Sequence, residues 1–101
     1  MHVIADFTII PLGVGTSLSS YVARVEQLLT DLGITHQLHA NGTNLEGEWE
    51  DVMAAIKACH EKLHRMGAPR VHTLLKVGTR TDRCQTLADK VESVQQKLGQ
   101  G

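Results

Sequence analysis

Asn41-Gly42-Thr43-Asn44-Leu45-Glu46-Gly47-Glu48-Trp49 joins a turn dipeptide, a short strand, a carboxylate and the start of an amphipathic helix in one segment. Asn-Gly favours the positive backbone angles of a two-residue hairpin turn, so Thr43 to Glu46 is expected to return beside the strand that precedes it. Glu46 then stands near a helix start, where polar groups can converge on a small molecule. The acidic residues Glu46, Glu48, Glu50 and Asp51 equally suit the positive end of a helix whether or not anything binds.

Outward from this hairpin the pattern alternates between strands and helices. On its N-terminal side, Ile34 to Ala40 reads as the paired strand. Before it, Leu18, Val22, Val25, Leu29 and Leu32 recur at helical spacing, with Thr16 or Ser17 as N-cap and Gly33 as the stop. His2 to Ile10, rich in Val, Ile, Phe and Thr, predicts a first strand closed by Pro11 and the Gly13-Val14-Gly15 loop. On the C-terminal side, Trp49, Val52, Met53, Ile56, Cys59, Leu63 and Met66 trace a helix that ends at Gly67, and Pro69 blocks its continuation. Arg70 to Thr79 reads as the last strand. A final helix over Leu87 to Leu98 shares one apolar face, with Thr86 and Asp89 spaced as a capping box.

The order strand, helix, strand, strand, helix, strand is the ferredoxin-like βαββαβ arrangement, an α+β fold. Both main helices cover one face of a four-stranded antiparallel sheet, here with an added C-terminal helix. No linker or repeat divides residues 1–101, which are expected to form a single domain. The first strand is apolar on both sides: Val3, Ala5, Phe7 and Ile9 point one way, Ile4 and Ile10 the other. The second face therefore needs cover, from another copy of the chain or from the C-terminal helix folding back.

Composition narrows the function classes. A chain of 101 residues is large enough to bury a core without a metal or a disulfide. Its net charge of -1 supplies no broad attraction to nucleic acid or anionic membrane. Phe7, Tyr21 and Trp49 are its only aromatic residues, too few for a base-stacking platform. Cys59 and Cys84 share no ligand or redox spacing and are expected to be reduced thiols in a cytoplasmic protein. The chain runs straight into a strand pattern, with no expected signal peptide and no apolar run near the ~20 residues of a membrane helix.

Two motifs suggest chemistry. His60-Glu61-Lys62-Leu63-His64 matches the H-E-x-x-H zinc peptidase helix, in which two His one turn apart hold metal and the Glu activates water. The extended motif requires a third His where this chain has Arg70, and Gly67 is already explained as a helix stop. No metal site is expected beyond adventitious zinc or nickel on the His pair. Gly13-Val14-Gly15 resembles a dinucleotide loop but has Leu18 in place of the third glycine, and an antiparallel sheet lacks the crevice that dinucleotides use. The backbone N–H groups at Thr16 to Ser19, with the hydroxyls of Ser17, Ser19 and Ser20, can hold a phosphate or simply cap the helix. Ser, His and Cys show no local signature of a nucleophilic catalyst.

Pro11-Leu12-Gly13 with Ser19-Ser20-Tyr21-Val22, Gly42-Thr43 with Leu45-Glu46-Gly47, Arg70-Val71-His72-Thr73 and Gly78-Thr79-Arg80-Thr81-Asp82 span nearly the whole chain. In order and spacing they resemble the small thiamine-binding proteins. The resemblance implies a ferredoxin-like subunit assembled as a homotetramer, a dimer of dimers, that binds thiamine or its hydroxymethylpyrimidine moiety without catalysis or cofactor. Asn41 departs from the apolar residue common before Gly-Thr in such proteins. Toward this ligand Glu46 is the first candidate, as acceptor for the exocyclic amine or partner of a protonated ring nitrogen. Thr43 offers a hydroxyl, Trp49 a face for a ring or the thiazolium cation, and Ser19 and Ser20 further polar contacts. Two other classes stay open: a regulatory or interaction module with no small-molecule ligand, and a zinc-dependent hydrolase built on the His60 pair.

Overall fold

The computed structural model describes residues 1–82 and 85–100, so the expectation for Cys84 lies outside the described residues. The elements are β1 (His2–Leu12), α1 (Ser19–Asp31), β2 (Thr35–His39), β3 (Gly42–Glu48), α2 (Trp49–Arg65), β4 (Arg70–Thr79) and α3 (Leu87–Gln100). Their sheet runs β2-β3-β1-β4 with every pair antiparallel, the ferredoxin-like α+β order that the sequence predicts. No helix among the described residues is long and apolar enough to cross a membrane.

Alternation along β1 sorts its side chains between two environments. Val3, Ala5 and Phe7 are buried with Leu45 of β3, Val25 and Leu29 of α1, and Val52, Ala55, Cys59 and Leu63 of α2. Each large apolar side chain removed from water in this layer contributes roughly 1.5–3 kcal/mol. The two core helices stop in the same way. Gly33 and Gly67 take positive φ of 72° and 104°, and the residues after them, Ile34 and Ala68, donate back to Leu29 and Leu63. This satisfies carbonyls that the helix ends would leave unpaired.

Three local expectations are corrected. The hairpin forms, but its register pairs His39 with Gly42, which makes Ala40-Asn41 the connection rather than Asn41-Gly42. Neither Asn41 nor Gly42 has a positive φ. Glycine is needed at position 42 for a different reason: a Cβ there would lie 2.7 Å from the Phe7 carbonyl and 2.8 Å from Thr8 Oγ1. That close approach is fixed by Thr8, whose hydroxyl donates to the Asn41 carbonyl at 2.7 Å.

The second correction concerns Pro11, which does not end β1. The strand continues to Leu12 against β4. Beyond Phe7 it has no β3 partner, and a missing N–H is tolerated where one side of a strand is an edge. The third concerns the start of α1, where Leu18 is the N-cap and no side chain caps it. By contrast the box at α3 forms as read: the Thr86 hydroxyl accepts from Asp89 N–H at 3.1 Å, and Asp89 accepts from Thr86 N–H at 3.0 Å.

Candidate functional site

The register builds a polar row on the sheet face that α1 and α2 do not cover. Thr35, Glu46, Ile4 and Gly78 stand side by side across β2, β3, β1 and β4. The first turns of α3 lie over this row, and Leu87 N–H donates to Glu46 Oε2 at 3.1 Å. A cavity opens on each side of the helix. One, of about 560 Å³, is lined by His2, Ile4, Gly78, Arg80, Gln85 and Lys90 among others. The other, of about 750 Å³, lies toward β2 and is lined by Thr35, Gln37, Glu46, Leu87 and Val91 among others.

Glu46 and His2 connect the two. The Glu46 carboxylate is largely shielded, with 15% of its side chain exposed, and His2 Nε2 lies 3.8 Å from its Oε2. His2 Nε2 is itself buried and has no hydrogen-bond partner among the described residues. Buried polar atoms are nearly always paired, so an orphan ring nitrogen beside a carboxylate makes His2 a candidate for a partner from outside the chain. The pair offers one acceptor and one group that can donate or accept. Farther along the face, His39 Nε2 donates to Asp6 at 2.7 Å while its Nδ1 accepts from Asn41 N–H, which fully engages that ring.

The other residues proposed from sequence are not gathered around Glu46. Thr43 is 4% exposed on the opposite, helix-covered face, and its hydroxyl donates to the Glu26 carboxylate of α1 at 3.2–3.3 Å. Three positions separate it from Glu46, and an odd separation in a strand puts two side chains on opposite faces. Ser19 and Ser20 are exposed at the start of α1, beyond the Leu12 end of β1, whereas Glu46 pairs with Ile4 near its beginning. Eight residues of strand, about 26 Å, separate those ends. Trp49 opens α2, donates its backbone N–H to the Met1 carbonyl at 2.8 Å and remains 36% exposed, outside the lining of either cavity. It stands among the exposed large side chains and is not part of the core cluster. Nothing in the local sequence marks His2 or Lys90 as site residues, whereas Gly78 and Arg80 lie in the Gly78-Thr79-Arg80-Thr81-Asp82 segment that carries the family resemblance.

On the far side of the molecule, the His60 and His64 rings are occupied by structural contacts. His60 Nε2 meets the Thr73 hydroxyl of β4 at 2.5 Å, and His64 Nδ1 donates to the Ala68 carbonyl at 2.8 Å. Burial, and secondarily the neighbouring His64, hold the His60 pKa below the ordinary histidine value. Among the described residues, no group of three or more His, Cys, Asp or Glu side chains is placed to hold a metal. Cys59 is a free thiol in the core, and burial pushes its pKa up to about 11.

Comparison with known proteins adds an independent line. A family model described as thiamine-binding protein matches residues 5–95. A UPF0045 protein of Synechocystis is 52% identical over 95 residues, covering 94% of this chain and 78% of the relative. Among solved structures, a hypothetical protein of Methanocaldococcus jannaschii superimposes with a TM-score of 0.86 at 31% identity, covering 93% of this chain and 96% of the other. A Thermotoga maritima protein, provisionally assigned to thiamine biosynthesis or salvage, gives 0.79 at 20% identity with 93% and 99% coverage, a likeness of fold.

Proposed function

Because the chain belongs to the thiamine-binding protein family, we propose that it binds thiamine or its hydroxymethylpyrimidine moiety in the cytosol, without catalysis, on the sheet face around Glu46. The observation that carries this reading is the shielded Glu46 carboxylate 3.8 Å from the unpartnered His2 Nε2 at the edge of a cavity. An aminopyrimidine presents an exocyclic amine beside a ring nitrogen. Glu46 accepts from the amine, and His2 supplies the complementary partner for the nitrogen. No group in the pair is arranged as a nucleophile with its base.

The proposal includes a second copy of the chain over the rest of the open face. Leu74 is 58% exposed there, and Val91, Val94 and Leu98 of α3 are 57%, 59% and 75% exposed. α3 bonds to the sheet through Leu87 N–H on Glu46, and Val91, Val94 and Leu98 leave an apolar stripe exposed. A dimer of dimers is the assembly in keeping with the family resemblance.

Calorimetric titration of wild type and Glu46→Gln with thiamine and with hydroxymethylpyrimidine tests the site. The substitution is expected to weaken binding about ten- to a hundredfold, since a charged hydrogen bond is worth ~1.5–3 kcal/mol. A loss of melting temperature with unchanged affinity would instead make Glu46 a cap for the Leu87 N–H, and wild type that binds neither compound would end the proposal.

A further inference from the structure

Resting on that ligand assignment, we infer that the cavity beside His2 receives a phosphate group, and that the site favours the phosphate monoester of an aminopyrimidine alcohol over thiamine itself. Three features of the cavity converge on this. The first is charge. Lys90 and Arg80 both line it, and among the described residues no carboxylate does, Glu46 standing at its edge beyond His2. Arg80 is held by Asp82 and by Gln85, the latter at 2.9 Å, so its charge is largely balanced within its own loop. Lys90 has no ion pair among the described residues. A phosphate monoester carries about -1.5 to -2 charges at neutral pH, whereas thiamine would bring its thiazolium cation toward the same lysine.

The second feature is placement. Leu87 and Lys90 lie one turn apart at the start of α3, Leu87 lining the cavity toward β2 and Lys90 the one beside His2. The turn that sets Leu87 N–H on Glu46 therefore sets the Lys90 side chain beside Ile4 and Gly78 in the cavity. In a hydroxymethylpyrimidine the exocyclic amine and the alcohol arm sit on adjacent ring carbons. A ring held through its amine at Glu46 therefore keeps its ester close to the carboxylate, where two negative groups repel, and the Lys90 ammonium in the adjoining cavity supplies the charge that offsets this.

The third is Gly78 in the middle of the floor. Its φ is not positive, and a Cβ there would meet nothing nearer than the Ile4 carbonyl at 3.9 Å. Neither backbone conformation nor packing within the chain demands glycine at this position. A strand glycine without such a demand leaves the backbone open to close approach by a ligand.

Titration of the full chain with hydroxymethylpyrimidine, its phosphate, thiamine and inorganic phosphate decides the matter. The phosphate ester is expected to bind about ten- to a hundredfold tighter than the alcohol. Lys90→Gln should bring the ratio of ester to alcohol affinity close to one, and Gly78→Leu, with its fold checked by circular dichroism, should weaken both. An ester no tighter than the alcohol, a preference that survives Lys90→Gln, or full affinity in Gly78→Leu would overturn the inference while alcohol binding kept the functional reading intact. Inorganic phosphate binding as tightly as the ester would overturn it in favour of a general anion site. Failure of every pyrimidine compound to bind would remove both readings together.

Discussion

The two faces of the sheet are made from alternate residues of the same strands, yet they solve different problems. On the covered face Val3, Ala5, Phe7 and Leu45 are at most 2% exposed and meet α1 and α2. On the open face His2, Ile4, Asp6 and Glu46 are only partly buried, and three of the four are titratable. Apolar burial specifies the fold from one side. The other side can keep a carboxylate, an orphan imidazole and a lysine close together because the core does not depend on them.

The largest effect that separates the faces is a cavity on the covered one. Phe7→Ala removes the largest buried side chain of β1 and is expected to cost ~3–5 kcal/mol in urea unfolding. Its neighbour Thr8→Ala, on the open side, is expected to lose only the bond to the Asn41 carbonyl, ~1 kcal/mol. Comparable losses at the two sites would erase the distinction between a packed and an open face.

Next comes assembly. Leu74→Glu places a charge on the exposed apolar part of the open face and, where a second copy covers it, is expected to shift a dimer or tetramer toward monomer or aggregate, since an unpaired desolvated charge costs several kcal/mol. Light scattering coupled to size exclusion at micromolar concentration reads this directly. A wild-type chain of strictly monomeric mass would leave the open face facing solvent and remove the second copy from the proposal.

The element order was legible because periods of two and of 3.6 residues are written in the apolar pattern, and Gly33, Gly67 and the Thr86–Asp89 box mark helix ends locally. What failed was decided by distant partners. The hairpin connection moved by one residue because Gly42 must pass against the Phe7 carbonyl and Thr8, contacts that no local turn rule contains. Pro11 stayed within β1 because β3 ends its pairing at Phe7. Glu46 stood out as a carboxylate near a helix start. Lys90 did not, and Gly78 was visible only inside a motif, since they join it through the path of α3 and cross-strand register.

A finer test sets Thr43 against Glu46 on the same strand. Thr43→Val removes the hydroxyl that donates to Glu26 while keeping shape, and is expected to cost ~1 kcal/mol of stability without changing affinity for thiamine or hydroxymethylpyrimidine. Glu46→Gln is expected to do the reverse. If Thr43→Val weakened binding as much as Glu46→Gln, the ligand would have to reach the helix-covered side of β3, and the division of labour between the faces would fail.

The smallest expected effect on binding is at His60 and His64, which lie on α2 behind the covered face. His60→Ala with His64→Ala is expected to leave affinity for either compound unchanged and to abolish only adventitious uptake of zinc or nickel, because two His without a third ligand make an incomplete site. Stability should carry the signature instead. The folded-state pKa of His60 is depressed by burial, so its unprotonated ring favours the native state above the unfolded histidine value of about 6.5. That contribution is lost as pH falls through the lower folded value. Wild type should therefore lose stability on acidification more steeply than the double variant across that interval, as read by thermal melts in matched buffers. Stoichiometric zinc retained by wild type after dialysis against a mild chelator, together with peptidase activity, would instead make the pair a catalytic centre and move the functional face to the other side of the molecule.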